Sequence, residues 1–188
     1  FERAGGFRPG AYVVVYGAGP IGLAAIQLSK AAGAAKVIAF EVSDVRKKLA
    51  KEVGADYVYD PREVTPSEVV MDITHGEGAD LSVEAAGAPE VTIPEMEKTL
   101  AINGKITVIG RAAQRVPMFL ERFQVRRSQV FGAQGHSGHG IFPSVIRMMG
   151  AGLIDNTKMI TSRFPLAEAV AALEKATRRE DGKIMIKP

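Results

Sequence analysis

Gly17, Gly19 and Gly22 are spaced G-x-G-x-x-G, with Ala18, Pro20 and Ile21 between them. The spacing alone is weak. Here it follows an apolar run, AYVVVY at 11–16, and opens a stretch with apolar residues at helical spacing. In a strand-turn-helix each glycine has a task. Gly17 permits the tight turn out of the strand, Gly19 lets a pyrophosphate approach the backbone, and Gly22 lets the helix pack closely on the sheet. The helix N-terminus then offers free N–H groups and a partial positive charge to phosphate oxygens. Pro20, in the first helical turn, removes no N–H that the helix needs. Glu41 ends the next apolar run, VIAF at 37–40, at the spacing of roughly 20 residues where a ribose-binding acid is expected. A carboxylate there accepts from both hydroxyls of an adenosine ribose and repels a 2′-phosphate, so NAD is predicted over NADP. Arg46, the nearest cation, either braces the same ribose or caps the surface.

Small residues at two other points fit the same crevice. Ala85-Ala86-Gly87 follow one apolar run, and Val108-Ile109-Gly110 end another. Backbone without bulk can approach a flat ring there, although ordinary turns use the same residues. His136 and His139 form H-x-x-H inside GAQGHSGHG. A metal needs a third ligand and the chain has no cysteine, so these histidines are expected in a polar loop that touches ligand or stays on the surface. His75, before Gly76, has the position of a cation at a helix C-terminus. Glu84 falls in an expected buried strand, where a carboxylate is either perturbed for function or, more commonly, paired for structure. No Ser-His-Asp or Cys-His grouping is supported. No catalytic residue and no metal ligand are assigned to the chain.

These residues need a scaffold that brings strand ends together. The first two-thirds alternate short apolar runs with helical patterns, the signal for βαβ units and a parallel sheet. Strands are expected at 11–16, 37–40, 57–59, 81–86, 105–110 and about 129–132. Helices are expected at about 21–32, 45–53, 66–74 and 94–101, with a short segment around 118–126. Gly33 and Gly54 close the first two helices. Thr65-Pro66-Ser67-Glu68 has the pattern of a capping box, and Asn103-Gly104 that of a helix stop. Six such strands predict an α/β Rossmann fold, a doubly wound parallel sheet of order 3-2-1-4-5-6 with right-handed crossovers. Its ligand crevice lies between strands 1 and 4. From 133 the pattern changes. A helix at 142–149, a strand at 158–164, a helix at 166–177 and a strand at 183–187 make a small α/β tail, expected not to be another βαβ repeat. The domains are therefore 1–132 for the nucleotide and 133–188 for a C-terminal lobe.

The 188 residues suffice for one domain with an appended lobe, and 46% apolar with 24% charged residues is ordinary globular composition. The net charge of +3 is scattered and aromatics are few, which argues against nucleic acid. Arg122, Arg126 and Arg127 read as a solvated helix face. Without cysteine, disulfides and thiolate metal sites are excluded. No run approaches the roughly 18 apolar residues of a membrane span, and the N-terminus has no signal-peptide pattern. A cytoplasmic protein without membrane partners is expected. A first residue of Phe rather than Met suggests a chain that begins inside a longer sequence.

VYGAGPIGLAAIQLSKAAGAAKVIAFEVSDVRKKLAKEVGAD resembles the cofactor domain of zinc-dependent medium-chain dehydrogenases. TSRFPLAEAVAALEKA and GKIMIK are similar to the C-terminal end of the sorbitol (polyol) branch, and less closely to threonine dehydrogenases. GAQGHSGHG resembles the loop of inosose and related cyclic-polyol dehydrogenases. The resemblance implies that Gly17, Gly19, Pro20, Ile21 and Gly22 hold the pyrophosphate. It implies that Glu41 takes the ribose, with Arg46 beside it. Ala86 and Gly87, at and after the end of strand 4, remain the crevice residues read above. It matches Val108, Ile109 and Gly110 to backbone that meets the nicotinamide, and Lys183 to a basic position near the phosphates. The polyol branch carries a substrate-reaching arginine just after strand 6, where this chain has Gln134-Gly135-His136.

The activity implied is hydride transfer between the nicotinamide of NAD and a secondary alcohol or ketone, with zinc polarising the oxygen. That zinc belongs to an N-terminal catalytic domain outside this chain, to which the lobe from about 133 would return. The chain alone is expected to be catalytically silent. A homo-oligomer is expected through the edge of strand 6, at Val130 and Phe131. Two other functions use similar features. One is a nucleotide-sensing regulatory module, which the dehydrogenase-like tail argues against. The other is an S-adenosylmethionine-dependent methyltransferase, which the six-strand count and full glycine motif disfavour.

Overall fold

The computed structural model describes residues 4–135 and 140–188, so the readings of His136 and His139 lie outside the described residues. The chain starts as expected, with β1 (Tyr12–Tyr16), α1 (Pro20–Ala31), β2 (Lys36–Phe40), α2 (Asp44–Glu52) and β3 (Tyr57–Tyr59). It continues through α3 (Pro66–Ile73), β4 (Ala79–Glu84), α4 (Pro89–Lys98), β5 (Leu100–Val108), α5 (Leu120–Arg126) and β6 (Gln129–Gly132). These strands form one parallel sheet of order β3-β2-β1-β4-β5-β6, the Rossmann topology.

Both faces of the sheet are covered, which explains its apolar strands. Val13, Val15, Val37 and Ala39 pack with Leu23 and Ile26 of α1 and Leu49 of α2. Val14, Tyr16, Ile38 and Phe40 pack on the other face with Val70 of α3 and Ile93 and Met96 of α4. Alternate residues of one strand thus serve two separate cores.

Several local expectations are corrected. β4 ends at Glu84, so Ala85 and Ala86 belong to the turn after it. α4 starts at Pro89, which takes the first helical position, and Pro94 lies inside the helix instead of opening it. Asn103-Gly104 does not stop a helix. Both residues lie inside β5, where the register jumps from Ala79↔Leu100 to Leu81↔Lys105. Asn103 has a φ of 61°, and a Cβ on Gly104 would stand 2.8 Å from the Ala79 carbonyl oxygen. This is a bulge, which accommodates such residues as readily as a helix end does. The Thr65 side chain makes no capping bond either. Glu95 of α4 caps α3 instead, accepting from the Ser67 N–H at 2.9 Å. A carboxylate distant in sequence has replaced the local box.

The tail is α6 (Ile141–Gly150), β7 (Ile160–Pro165), α7 (Ala169–Thr177) and β8 (Lys183–Lys187). β7 and β8 pair in parallel with α7 between them. Parallel neighbours need a crossover, so the tail does contain a βαβ unit, contrary to the expectation. β7 is half exposed and β8 mostly exposed, which hid the buried-strand signature. The tail is anchored to the first core by Met159 and by the Gln27 side chain, which accepts from the Asp155 N–H at 2.7 Å. Among the described residues no helix is long and apolar enough to cross a membrane.

Candidate functional site

The parallel registers bring five strand ends level. Phe40, Tyr16, Glu84, Val108 and Gly132 lie side by side across the sheet. The next residues therefore share one rim: Glu41, Gly17, Ala85 and Ile109. The strand order reverses between β1 and β4, and adjacent crossovers leave on opposite faces. A crevice opens at that point. A cleft of about 960 Å³ occupies it, lined by Gly17, Gly19, Glu41, Arg46 and Ala86 among others.

The glycine turn is locked by contact. Gly17 has a φ of 88°, and a Cβ there would stand 2.7 Å from backbone atoms of Ala86. A Cβ on Gly22 would stand 1.8 Å from the Gly17 carbonyl oxygen, so its space is taken by the turn itself. Gly19 differs. Its nearest neighbour would be Arg46 Nη1 at 3.7 Å, an ordinary contact, and the residue lines the cleft. Within the protein nothing demands a glycine there. The Leu23 N–H is bonded to the Gly19 carbonyl at 2.9 Å. The N–H groups of Ile21 and Gly22 precede that first turn and have no intrahelical acceptor.

Glu41 is buried at the rim. Its Oε2 accepts from the Ala18 N–H at 2.7 Å, and its Oε1 accepts from the Val42 and Ser43 N–H groups at 2.8 and 2.9 Å. One carboxylate thus ties the glycine turn to the start of α2. Three of about four lone-pair directions are used, which leaves Oε2 with capacity for one further donor. Arg46 lies beside it and donates from Nε to the Asp181 carbonyl at 2.9 Å. That bond holds the segment before β8 against the cleft, where Arg178, Arg179 and Glu180 join the lining. Arg62 is at the same end. It forks onto Asp60, whose carboxyl is held well below the usual carboxylate range by side-chain and backbone hydrogen bonds from Arg62.

Glu84 is fully buried at the end of β4 and proves to be paired structurally. Its Oε1 accepts from the Ala86, Gly87 and Ala88 N–H groups at 3.1, 3.0 and 3.3 Å. Its Oε2 has no partner and presses on Gly110, where a Cβ would stand 2.1 Å away.

Of the crevice residues singled out in the sequence, Gly17, Gly19, Glu41, Arg46, Ala85 and Ala86 line the cleft. Gly22 lies under the turn, and Pro20 and Ile21 are exposed on the first turn of α1. Gly87, Val108, Ile109 and Gly110 gather around Glu84, on the far side of the crevice from Glu41. Lys183 is exposed on β8 and is not in the lining, where Arg178 and Arg179 stand instead. Tyr16 and Phe40 were missed as site residues. Their position immediately before Gly17 and Glu41 was the available signal. Arg178 and Arg179 had no local signal, because only the fold of the tail brings them there. Among the described residues no three of His, Cys, Asp and Glu gather closely enough to hold a metal ion.

Comparisons agree with this architecture. The family model described as zinc-binding dehydrogenase matches residues 20–151. Scyllo-inosose 3-dehydrogenase of Thermotoga maritima is 48% identical over 170 residues, which cover 88% of this chain and 43% of that protein. Mouse (Mus musculus) sorbitol dehydrogenase is 30% identical over 187 residues, covering 98% of this chain and 52% of that protein. A solved structure from Thermotoga maritima, provisionally named an alcohol dehydrogenase, superposes with a TM-score of 0.94 at 44% identity, over 99% of this chain and 48% of that one. The chain spans about half the length of these relatives.

Proposed function

Because this chain belongs to the zinc-binding dehydrogenase family, we propose that it is the NAD(H)-holding portion of an alcohol or polyol dehydrogenase. The observation that carries the reading is Glu41, bonded to the glycine turn through Ala18 and lining the cleft beside Arg46. The pyrophosphate sits over Gly19 against the N–H groups of Ile21 and Gly22. The ribose meets Oε2 of Glu41, with one hydroxyl bonded directly. A 2′-phosphate there faces a carboxylate, so NAD is preferred over NADP. The nicotinamide lies on the far side of the crevice, over the small backbone of Ala86, Gly87, Val108, Ile109 and Gly110. The bound nicotinamide supplies a hydride-accepting carbon, and the chain's residues hold it in place. The whole enzyme's substrate, in this reading, is a secondary alcohol of the polyol class.

Titration of the chain with NADH and NADPH, followed by nicotinamide fluorescence, tests the cofactor assignment. NADH is expected to bind at least about tenfold more tightly, the scale of one charge-assisted hydrogen bond. Glu41→Ala is expected to narrow that ratio. Equal or tighter NADPH binding to the parent chain would overturn it.

The same reading makes the chain half of a symmetric pair. β6 is the edge of the six-stranded sheet, and Val130 is 42% exposed. A second copy joined at this edge would continue the sheet and cover the strand. Analytical ultracentrifugation is expected to give twice the chain mass, and Val130→Lys to return it to one. A single-chain mass at high concentration would count against the pairing.

A further inference from the structure

The adenosine end of the cleft contains a polar group that the fold leaves unused. Tyr16, the last residue of β1, is 2% exposed, and its Oη is buried without a hydrogen-bond partner. A buried hydroxyl in that condition is costly, and such a group normally finds a partner. Its ring is stacked on Phe40 with centroids 5.0 Å apart. The two residues are register partners, and each directly precedes a site residue, Gly17 or Glu41. Both line the cleft, as do Val42, Ala86 and Val91. A ribose held at Glu41 would place its base in this part of the cleft.

Glu95 lines the same cleft. Burial pushes its carboxyl up, but hydrogen bonds from Lys98 and Ser67 outweigh burial and hold it below its ordinary value. The cleft therefore contains a fixed acceptor. Burial first, and the Glu95 charge second, push the Tyr16 hydroxyl far above its ordinary value, so it stays protonated and can donate. A lining with one donor and one acceptor matches the edge of adenine, where a ring nitrogen accepts and the exocyclic amine donates.

Building on the NAD reading, we propose that Tyr16 Oη hydrogen-bonds the base and, with Glu95, makes the cleft selective for adenine. Hypoxanthine carries a carbonyl oxygen in place of the amine. It would turn an acceptor toward the Glu95 carboxylate.

The test compares NADH with its hypoxanthine analogue, nicotinamide hypoxanthine dinucleotide (reduced), on the parent chain and on Tyr16→Phe, with thermal melting of both ligand-free proteins. The parent is expected to prefer NADH by about tenfold. Tyr16→Phe is expected to weaken NADH binding about fivefold or more and to shrink the preference. Its ligand-free melting point should stay level or rise, because the hydroxyl it loses has no partner in the protein. Parent binding without preference between the bases overturns the proposal and leaves the NAD reading standing. Unchanged affinity and preference in Tyr16→Phe also overturn it. A lowered melting point would assign the hydroxyl to the fold and overturn it as well. Failure of the parent to bind either dinucleotide would overturn both.

Discussion

Gly22→Ala is expected to abolish dinucleotide binding and to lower the melting temperature by roughly 3–10 °C, the range for overpacking of about 1–3 kcal/mol in a domain of this size. The added methyl would stand 1.8 Å from the Gly17 carbonyl oxygen. No rotamer can relieve that contact, because both atoms are set by backbone. Either the turn or the start of α1 must move. The turn cannot move freely, since the Gly17 N–H is bonded to the Phe40 carbonyl at 2.8 Å and Ala18 to Glu41. Gly19→Ala is the matched control. Its methyl would meet only Arg46 Nη1, at 3.7 Å, so the fold should melt with the parent. Binding should still fall, because the methyl occupies space where the pyrophosphate approaches. Thermal melting and NADH titration of both variants separate the two roles. Parent-like binding by Gly22→Ala would remove the turn from the site. A strong loss of stability in Gly19→Ala would make that glycine a structural residue.

The contrast shows what kind of information a sequence carries. G-x-G-x-x-G marked the turn between β1 and α1, and the structure adds a second constraint at Gly22. Close packing of helix on sheet was expected, and a Cβ would indeed meet Val15 of β1 at 3.4 Å, but the nearer obstacle is the carbonyl of the turn itself at 1.8 Å. The strand order was readable because continuous apolar runs between helical patterns permit little else. Element ends were less readable. Asn103-Gly104 suits both a helix stop and a bulge, and only the β4–β5 register decides between them. The α3 cap came from Glu95, on another helix, so no local box could reveal it. Glu41 was found by spacing, whereas its three backbone donors depend on how the turn and α2 meet. That meeting reduces its free capacity to one hydroxyl, where two had been expected. The tail arginines reach the cleft through the Arg46–Asp181 bond, across a separation that no motif spans.

Glu84→Ala is expected to cost about 2–4 kcal/mol, from the loss of the acceptor that three turn N–H groups share and from the space vacated by a fully buried side chain. Urea denaturation should show it as a lower midpoint with an unchanged slope. The Ala86, Gly87 and Ala88 N–H groups converge on Oε1, and the turn they define is the one that meets Gly17. Without that acceptor the turn should relax outward, and NADH affinity should fall along with stability. Glu84→Gln separates charge from shape. Its amide oxygen can still receive the three N–H groups, while its NH2 replaces Oε2 beside Gly110. A smaller loss is expected, about 1–2 kcal/mol, because the acceptor remains and the new donors find no partner. Gly110→Ala approaches the same contact from the other strand. Its methyl would stand 2.1 Å from Oε2 and 2.5 Å from the Gly87 nitrogen, so it should displace the carboxylate and loosen the same turn. The two sites share one contact, so the double variant Glu84→Ala/Gly110→Ala should lose less than the sum of the single losses. Additive losses would mean that Glu84 and Gly110 support the crevice independently, and the carboxylate would then not be the strut between β4 and β5.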